Sequence, residues 1–263
     1  MTSSSTDLAG RVALVTGGGR GIGRATSLAL AGRGAAVAVN WARDEQSALN
    51  TVREIRDLGG NAVATRARVD NIDDTEAMVE QAGTELGPIS ILVHNGGIAS
   101  RGHLVADTGV DEVERLLRVH AIGPHQLTRF VLPAMRQCPR GDIVMISSVA
   151  THLMEAGGAP YSMGKAALEA LAYTLAKEEA DNGIHVNIVA PGLVASEMGD
   201  RMIAARSNGT ATRAVELDPQ SPFGHVCRPD EIADVVTFLV SPPAGYLTGQ
   251  RIVVDGGANP HRQ

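Results

Sequence analysis

The sequence has few aromatic side chains, only two cysteines and no cluster of positive charge. Aromatic residues make up 3% of the 263 residues while hydrophobic residues make up 44%, so we expect a core of Val, Leu, Ile and Ala. Cys138 and Cys227 lie far apart and form no C-x-x-C pair, which is typical of reduced thiols rather than of a disulfide framework. The net charge of −6 and the lack of clustered Lys and Arg argue against a nucleic-acid partner.

Segments that direct a chain to or through a membrane are also missing from the sequence. The first ten residues, MTSSSTDLAG, contain neither a basic region nor an apolar stretch, which argues against a secretory signal. No apolar run approaches the roughly 18 residues of a membrane span. We therefore expect a cytoplasmic protein with no membrane partner, whose residues 1–10 form a flexible tail.

The usual patterns of metal sites and of hydrolase nucleophiles are absent as well. There is no H-E-x-x-H, and His120 and His125 are five residues apart, which is not the usual spacing of two ligands on one helical face. No G-x-S-x-G is present, so Ser148 and His152 do not form a hydrolase pair. We expect no metal site.

Short runs rich in Val and Ile alternate with longer amphipathic stretches along the whole chain. Most of these runs are apolar on consecutive residues, which is typical of parallel strands covered on both faces. The pattern predicts one α/β domain over residues 11–263, a Rossmann fold with a doubly wound seven-stranded parallel sheet. The irregular segment at about 193–225 is expected to lie over the carboxyl edge of the sheet, where substrates bind. The predicted strands are 11–16, 35–40, 61–68, 89–95, 141–147, 184–190 and 250–255.

A glycine-rich turn follows the first predicted strand. It reads TGGGRGIG, with Gly17, Gly21 and Gly23 around Arg20 and Ile22. A P-loop would continue with Lys and Ser or Thr, whereas Arg24 and Ala25 stand here. The turn opens a helix whose N-terminus favours the pyrophosphate of a dinucleotide. The alternative is an ordinary strand-to-helix turn that needs glycine only for its backbone.

The end of the second strand indicates which dinucleotide is bound. NAD sites of this type usually place an acid there for the ribose 2′-hydroxyl. Here Asn40 and Trp41 occupy the position, and the first acid, Asp44, comes later. Arg20 and Arg43 are candidates for contacting a 2′-phosphate, unless they are solvated surface residues. The sequence therefore favours NADP(H) over NAD(H).

Further motifs, in order along the chain, carry a resemblance to a known family. YSMGK places Tyr161 and Lys165 one helical turn apart, and Ser148 precedes the tyrosine by thirteen residues. VD at 69–70, HNGG at 94–97, APGLVASEM at 190–198 and the block at 228–257 complete the series. Over residues 11–257 the sequence resembles the short-chain dehydrogenase/reductase family, and within it the 3-oxoacyl-acyl-carrier-protein-reductase-like branch.

The resemblance implies an enzyme that interconverts a ketone and a secondary alcohol by hydride transfer. Tyr161 would be the general acid or base, with its pKa lowered by Lys165, which would also hold the nicotinamide ribose. Ser148 would bind the substrate oxygen; Ser147 is adjacent, but the thirteen-residue interval favours Ser148. Further cofactor contacts implied by the resemblance are Asp70, Asn95, Pro191, Gly192, Val194 and Ser196. The expected partner is a small carbonyl or alcohol substrate, and the family implies a homotetramer.

His120 stands where the resembled family has a catalytic asparagine that holds a water of a proton relay. An imidazole can replace the amide in the relay, and its ordinary pKa near 6.5 predicts an extra acid limb in the pH–rate profile. Lys165 would lower that pKa and favour the neutral ring. The alternative is a dinucleotide-binding protein with weak or no turnover. Glu178, Glu179 and Asp181 also predict poor activity on substrates carried by the acidic acyl carrier protein.

Overall fold

Seven strands form one parallel sheet in the order β3-β2-β1-β4-β5-β6-β7. The computed structural model describes residues 6–206 and 211–258. All six strand pairs are parallel, so the predicted fold class and sheet are confirmed. The strands are β1 (Val12–Val15), β2 (Ala36–Trp41), β3 (Ala62–Arg66), β4 (Ile91–His94), β5 (Gly141–Ile146), β6 (Ile184–Pro191) and β7 (Arg251–Val254).

Helices cover both faces of the sheet and produce two separate hydrophobic cores. One core packs α1, α2 and α9 on one face, and the other packs α3, α5 and α7 on the opposite face. Because β1 to β6 each contribute side chains to both cores, these strands are apolar on consecutive residues. The helices are α1 (Gly21–Gly32), α2 (Glu45–Asp57), α3 (Ile72–Leu86), α4 (Val110–Leu117), α5 (Gly123–Met135), α6 (Ala150–Leu153), α7 (Ala159–Glu178), α8 (Glu197–Arg206) and α9 (Pro229–Leu239).

The strand order reverses between β1 and β4, and this reversal locates the binding crevice. In an open sheet of this type, ligands bind beyond the carboxyl ends of the strands at such a point. The glycine turn follows β1, the HNGG motif follows β4 and Ser148 follows β5. The fold therefore gathers the predicted motifs at one edge of the sheet.

Two predicted segments differ from expectation. Leu8 is fully buried and its N–H donates to the carbonyl oxygen of Arg33. The side chain of Arg33 also forms an ion pair with Asp7. Asp7 and Leu8 are therefore held against the domain, and a flexible tail does not describe these two residues; residues 1–5 lie outside the described residues.

The segment at 193–225 contains α8 and two short 3-10 helices, Ala214–Gln220 and Pro222–Gly224. Its residues 207–210 lie outside the described part of the chain. Among the described residues, no helix is both long enough and apolar enough to cross a membrane.

Candidate active site

The glycine turn folds so tightly that Gly17 and Gly23 cannot be replaced by residues with a side chain without strain. Gly17 has a φ of +62°, a conformation that favours glycine. A β-carbon on Gly23 would lie 2.2 Å from the carbonyl oxygen of Gly17. This distance is a steric clash, so only glycine fits at position 23. The turn thereby brings the first turn of α1 against the end of β1.

The N-terminus of α1 has free amides suited to an anion. Arg20 at its N-cap makes no side-chain capping bond, and the first turn carries no acid. By contrast, α2 and α3 are capped by Asp44 and Asn71 and have acidic first turns. A helix N-terminus without its own acceptor favours a phosphate group through its amides and its dipole. The turn therefore fits the pyrophosphate of a dinucleotide, with Gly21, Ile22 and Gly23 supplying the backbone.

Asn95 and Thr16 support the turn from behind. The Asn95 Nδ2 donates to the carbonyl oxygens of Thr16 and Gly17 at 2.9 and 3.3 Å. The Thr16 hydroxyl oxygen accepts from the N–H groups of Asn95 and Gly96 at 3.0 and 2.8 Å. Asn95, predicted as a cofactor contact, thus acts on the turn, and Thr16 is a supporting residue that sequence reasoning missed.

Asn40 is buried and its side chain is fully engaged by the protein. Its Oδ1 accepts from the N–H of Gly17 at 3.2 Å, and its Nδ2 lies 3.3 and 3.1 Å from the carbonyl oxygens of Thr65 and Ala67. Its amide therefore ties the turn to β3, and the contact of Asn40 with the cofactor stays a prediction.

The two arginines predicted for a 2′-phosphate differ in their surroundings. Arg20 pairs with Glu197 of α8, with Nη1 and Oε2 2.9 Å apart. Arg43 is exposed in the bend after β2 and has no hydrogen bond or ion pair within the described chain. Arg43 is therefore the freer cation beside the second strand. Asp70, predicted as a cofactor contact, pairs with Arg68 at 2.8 Å.

Ser148 and Tyr161 meet at the carboxyl end of β5. The side chain of Ser148 lies close enough to the Tyr161 hydroxyl to lower the pKa of that phenol. The neighbouring Ser147 faces away, since its Oγ donates to Glu169 Oε1 at 2.5 Å in the buried interior. The structure thus brings Ser148, rather than Ser147, beside Tyr161.

Lys165 lies one turn after Tyr161 on α7, with its Nζ 5.9 Å from the centroid of the tyrosine ring. The ammonium donates to the carbonyl oxygen of Ile146 at 2.6 Å. Burial lowers the pKa of Lys165 to about 8. Burial also raises the pKa of Tyr161, and the side chain of Ser148 opposes the rise. The expected lowering of the tyrosine pKa is therefore not found in this structure, because desolvation of the phenolate is the larger cause.

His120 is held against the same tyrosine by a π-helical turn, Arg118–Ile122, between α4 and α5. Its ring meets that of Tyr161 edge to face, with centroids 5.3 Å apart. His120 Nε2 lies 2.8 Å from the carbonyl oxygen of Ile98, and the buried Nδ1 has no partner among the described residues.

The pKa of His120 is lowered to about 3, first by burial and then by the charge of Lys165. The predicted direction is confirmed, but burial is the larger cause. A charged ring near pH 6.5 is therefore excluded, and the expected acid limb does not follow. His94, the first residue of the HNGG motif, is also buried, and its Nε2 lies 2.9 Å from the Thr128 hydroxyl oxygen.

The segment after β6 is fixed beside the end of β7. The N–H of Gly192, which follows Pro191, donates to the carbonyl oxygen of Val254 at 3.0 Å. Val194 is buried and pairs with Cys227 in an isolated bridge. The Ser196 Oγ accepts from the N–H of Gly199 at 3.2 Å, so its side chain supports the first turn of α8.

Several charged groups behind the site were not found from the sequence. Glu169 and Arg251 form a buried ion pair at 3.1 Å, and Thr151 lies between them. The sequence feature that could have indicated Glu169 is its spacing, four residues after Lys165 on the same helix. The described residues contain no group of three His, Cys, Asp or Glu side chains able to hold a metal ion.

Comparisons with known proteins agree over nearly the whole chain. The sequence model of a family described as enoyl-(acyl carrier protein) reductase matches residues 17–259. A 3-oxoacyl-[acyl-carrier-protein] reductase of Synechocystis is 36% identical over 253 residues, which are 96% of this chain and 98% of the relative.

Solved structures give the same result. A short-chain type dehydrogenase/reductase from Mycobacterium marinum has a TM-score of 0.87 and 32% identity, covering 97% of this chain and 98% of the other. A blue fluorescent protein from a metagenomic library, in complex with NADPH, has a TM-score of 0.85 and 31% identity, with 95% and 98% covered. Because the sequence and the fold of this chain are similar to those of these proteins over nearly its whole length, the chain belongs to the short-chain dehydrogenase/reductase family of nicotinamide-dependent oxidoreductases.

Proposed function

We propose that this protein is an NADP(H)-dependent oxidoreductase that interconverts a ketone and a secondary alcohol, with Tyr161 as the general acid or base. The observation that carries the proposal is the proximity of Ser148 to the Tyr161 hydroxyl, with Lys165 one helical turn further along α7 and its Nζ 5.9 Å from the centroid of the tyrosine ring. Two adjacent hydroxyl groups can both donate to one carbonyl oxygen, which is the atom that gains negative charge during reduction.

The chain's own residues supply proton transfer and orientation. A bound nicotinamide supplies the hydride in reduction or accepts it in oxidation. Tyr161 delivers its hydroxyl proton to the substrate oxygen, and Ser148 donates a second hydrogen bond to that oxygen. Because burial raises the pKa of Tyr161, the phenol keeps its proton at neutral pH and is suited to act as an acid. Lys165 places a positive charge beside that proton path, with its Nζ 5.9 Å from the centroid of the tyrosine ring.

The preference for NADP(H) rests on charge beside the second strand. No acid stands at the end of β2, and Arg43 is exposed there without an intramolecular partner in the described chain. A 2′-phosphate gives an arginine a charge-assisted, bidentate contact. Arg20 must first leave Glu197 to contribute. The NADPH complex of the metagenomic relative supports the same cofactor.

Fluorescence titration with NADPH and NADH, followed by a panel of ketones and alcohols, tests the proposal. We expect tighter binding of NADPH and reduction of at least one ketone. Equal affinities or a preference for NADH would refute the cofactor assignment.

The earlier expectation about carrier-bound substrates loses its basis in the structure. Helix α7 has 20 residues and spans about 30 Å, with Tyr161 at its beginning and Glu178 at its end. Glu179 is buried and paired with Arg136. The acidic end therefore lies far from the site, and its charges are a weak argument against docking of a carrier there. Comparing a β-ketoacyl group on acyl carrier protein with its small thioester analogue determines whether substrates include carrier-bound ones.

A second candidate function is dinucleotide binding with weak or no turnover. The observation that favours it is His120, whose buried Nδ1 has no partner among the described residues. If NADPH binds and no ketone or alcohol on the panel reacts, this function replaces the first.

We also propose a homotetramer, because apolar side chains of α4 and α7 are exposed, including Val110 and Met163.

A further inference from the structure

Three consecutive residues at the end of β5 are each held by a different buried charged side chain. Lys165 Nζ donates to the carbonyl oxygen of Ile146 at 2.6 Å. Glu169 Oε1 accepts from the Ser147 hydroxyl at 2.5 Å. Arg251 Nη2 donates to the carbonyl oxygen of Ser148 at 3.2 Å. The main chain that carries Ser148 is therefore fixed by two residues of α7 and one of β7.

Glu169 and Arg251 are also paired with each other. Arg251 Nε lies 3.1 Å from Glu169 Oε1, and each side chain is 9% exposed. Thr151 accepts from Arg251 Nη2 at 2.9 Å, and its hydroxyl lies 2.9 Å from Glu169 Oε1. A buried ion pair gains little net stability, because desolvation offsets the attraction. Stability alone therefore gives no account of why the pair stands directly behind the site.

We propose that Glu169 and Arg251 are positioning residues for the reaction: Arg251 holds the main chain of Ser148 against Tyr161, and Glu169 keeps Lys165 charged. The inference rests on the proposed function, since it concerns how Ser148 and Lys165 are prepared for that reaction. Both residues act through their neighbours and neither touches the substrate oxygen.

The other groups around Lys165 are neutral in the working range of pH. Burial lowers the pKa of both His94 and His120 to about 3 and raises the pKa of Tyr161. The charge of the Arg115 guanidinium also lowers the pKa of His120. Among the described residues that face Lys165, the carboxylate of Glu169 therefore provides the negative charge, and it opposes the lowering of the Lys165 pKa by burial.

The composition of the chain permits a direct reading of this charge. Lys165 and Lys177 are the only two lysines in the sequence, and Lys177 is exposed on α7. Protein labelled with 13C at the lysine side chain gives one signal for each, so the cofactor-free protein can be titrated by NMR without any substrate. Lys177 serves as an internal reference in every sample.

Glu169→Gln keeps the shape of the side chain and removes its charge. We expect the Lys165 titration midpoint to move down by about one pH unit. Arg251→Gln leaves Glu169 with Lys165 as its nearest cation, and the midpoint is expected to move up. Glu179→Gln is the matched control, since Glu179 is also buried and paired with an arginine at the other end of α7; it should leave the midpoint in place. Because the two variants shift in opposite directions, either one that folds decides the question.

The kinetic arm tests the positioning of Ser148. Arg251→Gln should lower kcat roughly tenfold or more with little change in KM, and Arg251→Lys should recover part of the loss because it retains a charged donor for Glu169. An unchanged Lys165 midpoint in Glu169→Gln, or the same shift in Glu179→Gln, overturns the charge assignment. A parent-like kcat in Arg251→Gln overturns the positioning of Ser148. If the parent neither binds NADPH nor turns over, the proposed function fails, whereas the lysine titration still reports on Glu169.

Discussion

Burial sets the protonation of the residues around Tyr161 more strongly than their mutual charges do. The pKa of His120 lies at about 3 and that of Lys165 at about 8, with desolvation as the first cause in both. The same cause raises the pKa of Tyr161. At neutral pH the site therefore contains a neutral imidazole, a protonated phenol and an ammonium, which is the state suited to donating a proton.

Replacing His120 tests whether its neutral ring contributes to proton transfer. His120→Asn should retain the turnover of the parent and the shape of its pH profile between pH 5 and 9, because a ring with a pKa of about 3 does not titrate there. His120→Ala should lower kcat with little change in NADPH affinity. An alanine variant with parental kcat across this range would show that His120 plays no part in the relay.

Replacing Arg43 tests the origin of the cofactor preference. Arg43→Ala should weaken NADPH binding by about 1–3 kcal/mol, the value of a charged hydrogen bond, and leave NADH binding unchanged. Arg20→Ala is the matched control and should have a smaller effect, because Arg20 is paired with Glu197. Binding constants from fluorescence titration give both values, and equal losses for NADPH and NADH in Arg43→Ala would count against a 2′-phosphate contact.

At the scale of elements, the position of the His120 side chain depends on how closely α7 approaches the π-helical turn. A β-carbon on Gly164 of α7 would lie 2.9 Å from the Cβ of His120. Helix α3 contains a comparable glycine, Gly83, whose β-carbon would meet nothing within 4 Å. The two positions therefore separate the packing requirement from the ordinary helix propensity of glycine.

Alanine at these two positions should have opposite effects on stability. Gly164→Ala should lower the free energy of unfolding by about 1–3 kcal/mol, the cost of overpacking. Gly83→Ala should raise it by about 0.5–1 kcal/mol, because alanine is the better helix former. Urea unfolding of both variants and the parent gives the comparison, and a stabilised Gly164→Ala would show that α7 can move away from His120.

The elements were predictable where one residue pattern determined them. The apolar runs gave all seven strands to within a few residues, because buried parallel strands carry apolar side chains on both faces. The π-helical turn at 118–122 has no such pattern, since nothing in its composition marks the change of hydrogen bonding. The position of Asn40 at the end of β2 predicts a contact with the cofactor. The hydrogen bonds of its side chain to Gly17 and Ala67 depend on how the neighbouring strands pack, which the sequence does not show.

For the whole molecule, the motifs predicted which residues gather at the sheet edge but not what stands behind them. The Tyr161 to Lys165 spacing is local and could be read directly. Glu169 and Arg251 are 82 residues apart in the chain, and their contact depends on β7 lying beside β6. Desolvation is likewise a property of the complete fold, which is why the direction of the tyrosine pKa shift could not be predicted from the motif.

The oligomeric state is a prediction at this scale. Val110, Ile122, Met163 and Tyr173, on or beside α4, α5 and α7, are each at least 39% exposed, and exposed apolar surface favours association. Sedimentation equilibrium should give the mass of four chains of 27.4 kDa. A mass of one chain at micromolar concentration would contradict the homotetramer.

The most direct test of the central claim is the turnover of Tyr161→Phe beside the parent, measured with NADPH on a panel of ketones. The variant removes one oxygen atom and the proton it carries, while the ring that packs against His120 remains. We predict unchanged NADPH affinity and a loss of kcat of about 10²–10⁴-fold, the usual contribution of a positioned general acid. A Tyr161→Phe variant that reduces the same ketones at the parental kcat would contradict the role of Tyr161 as proton donor.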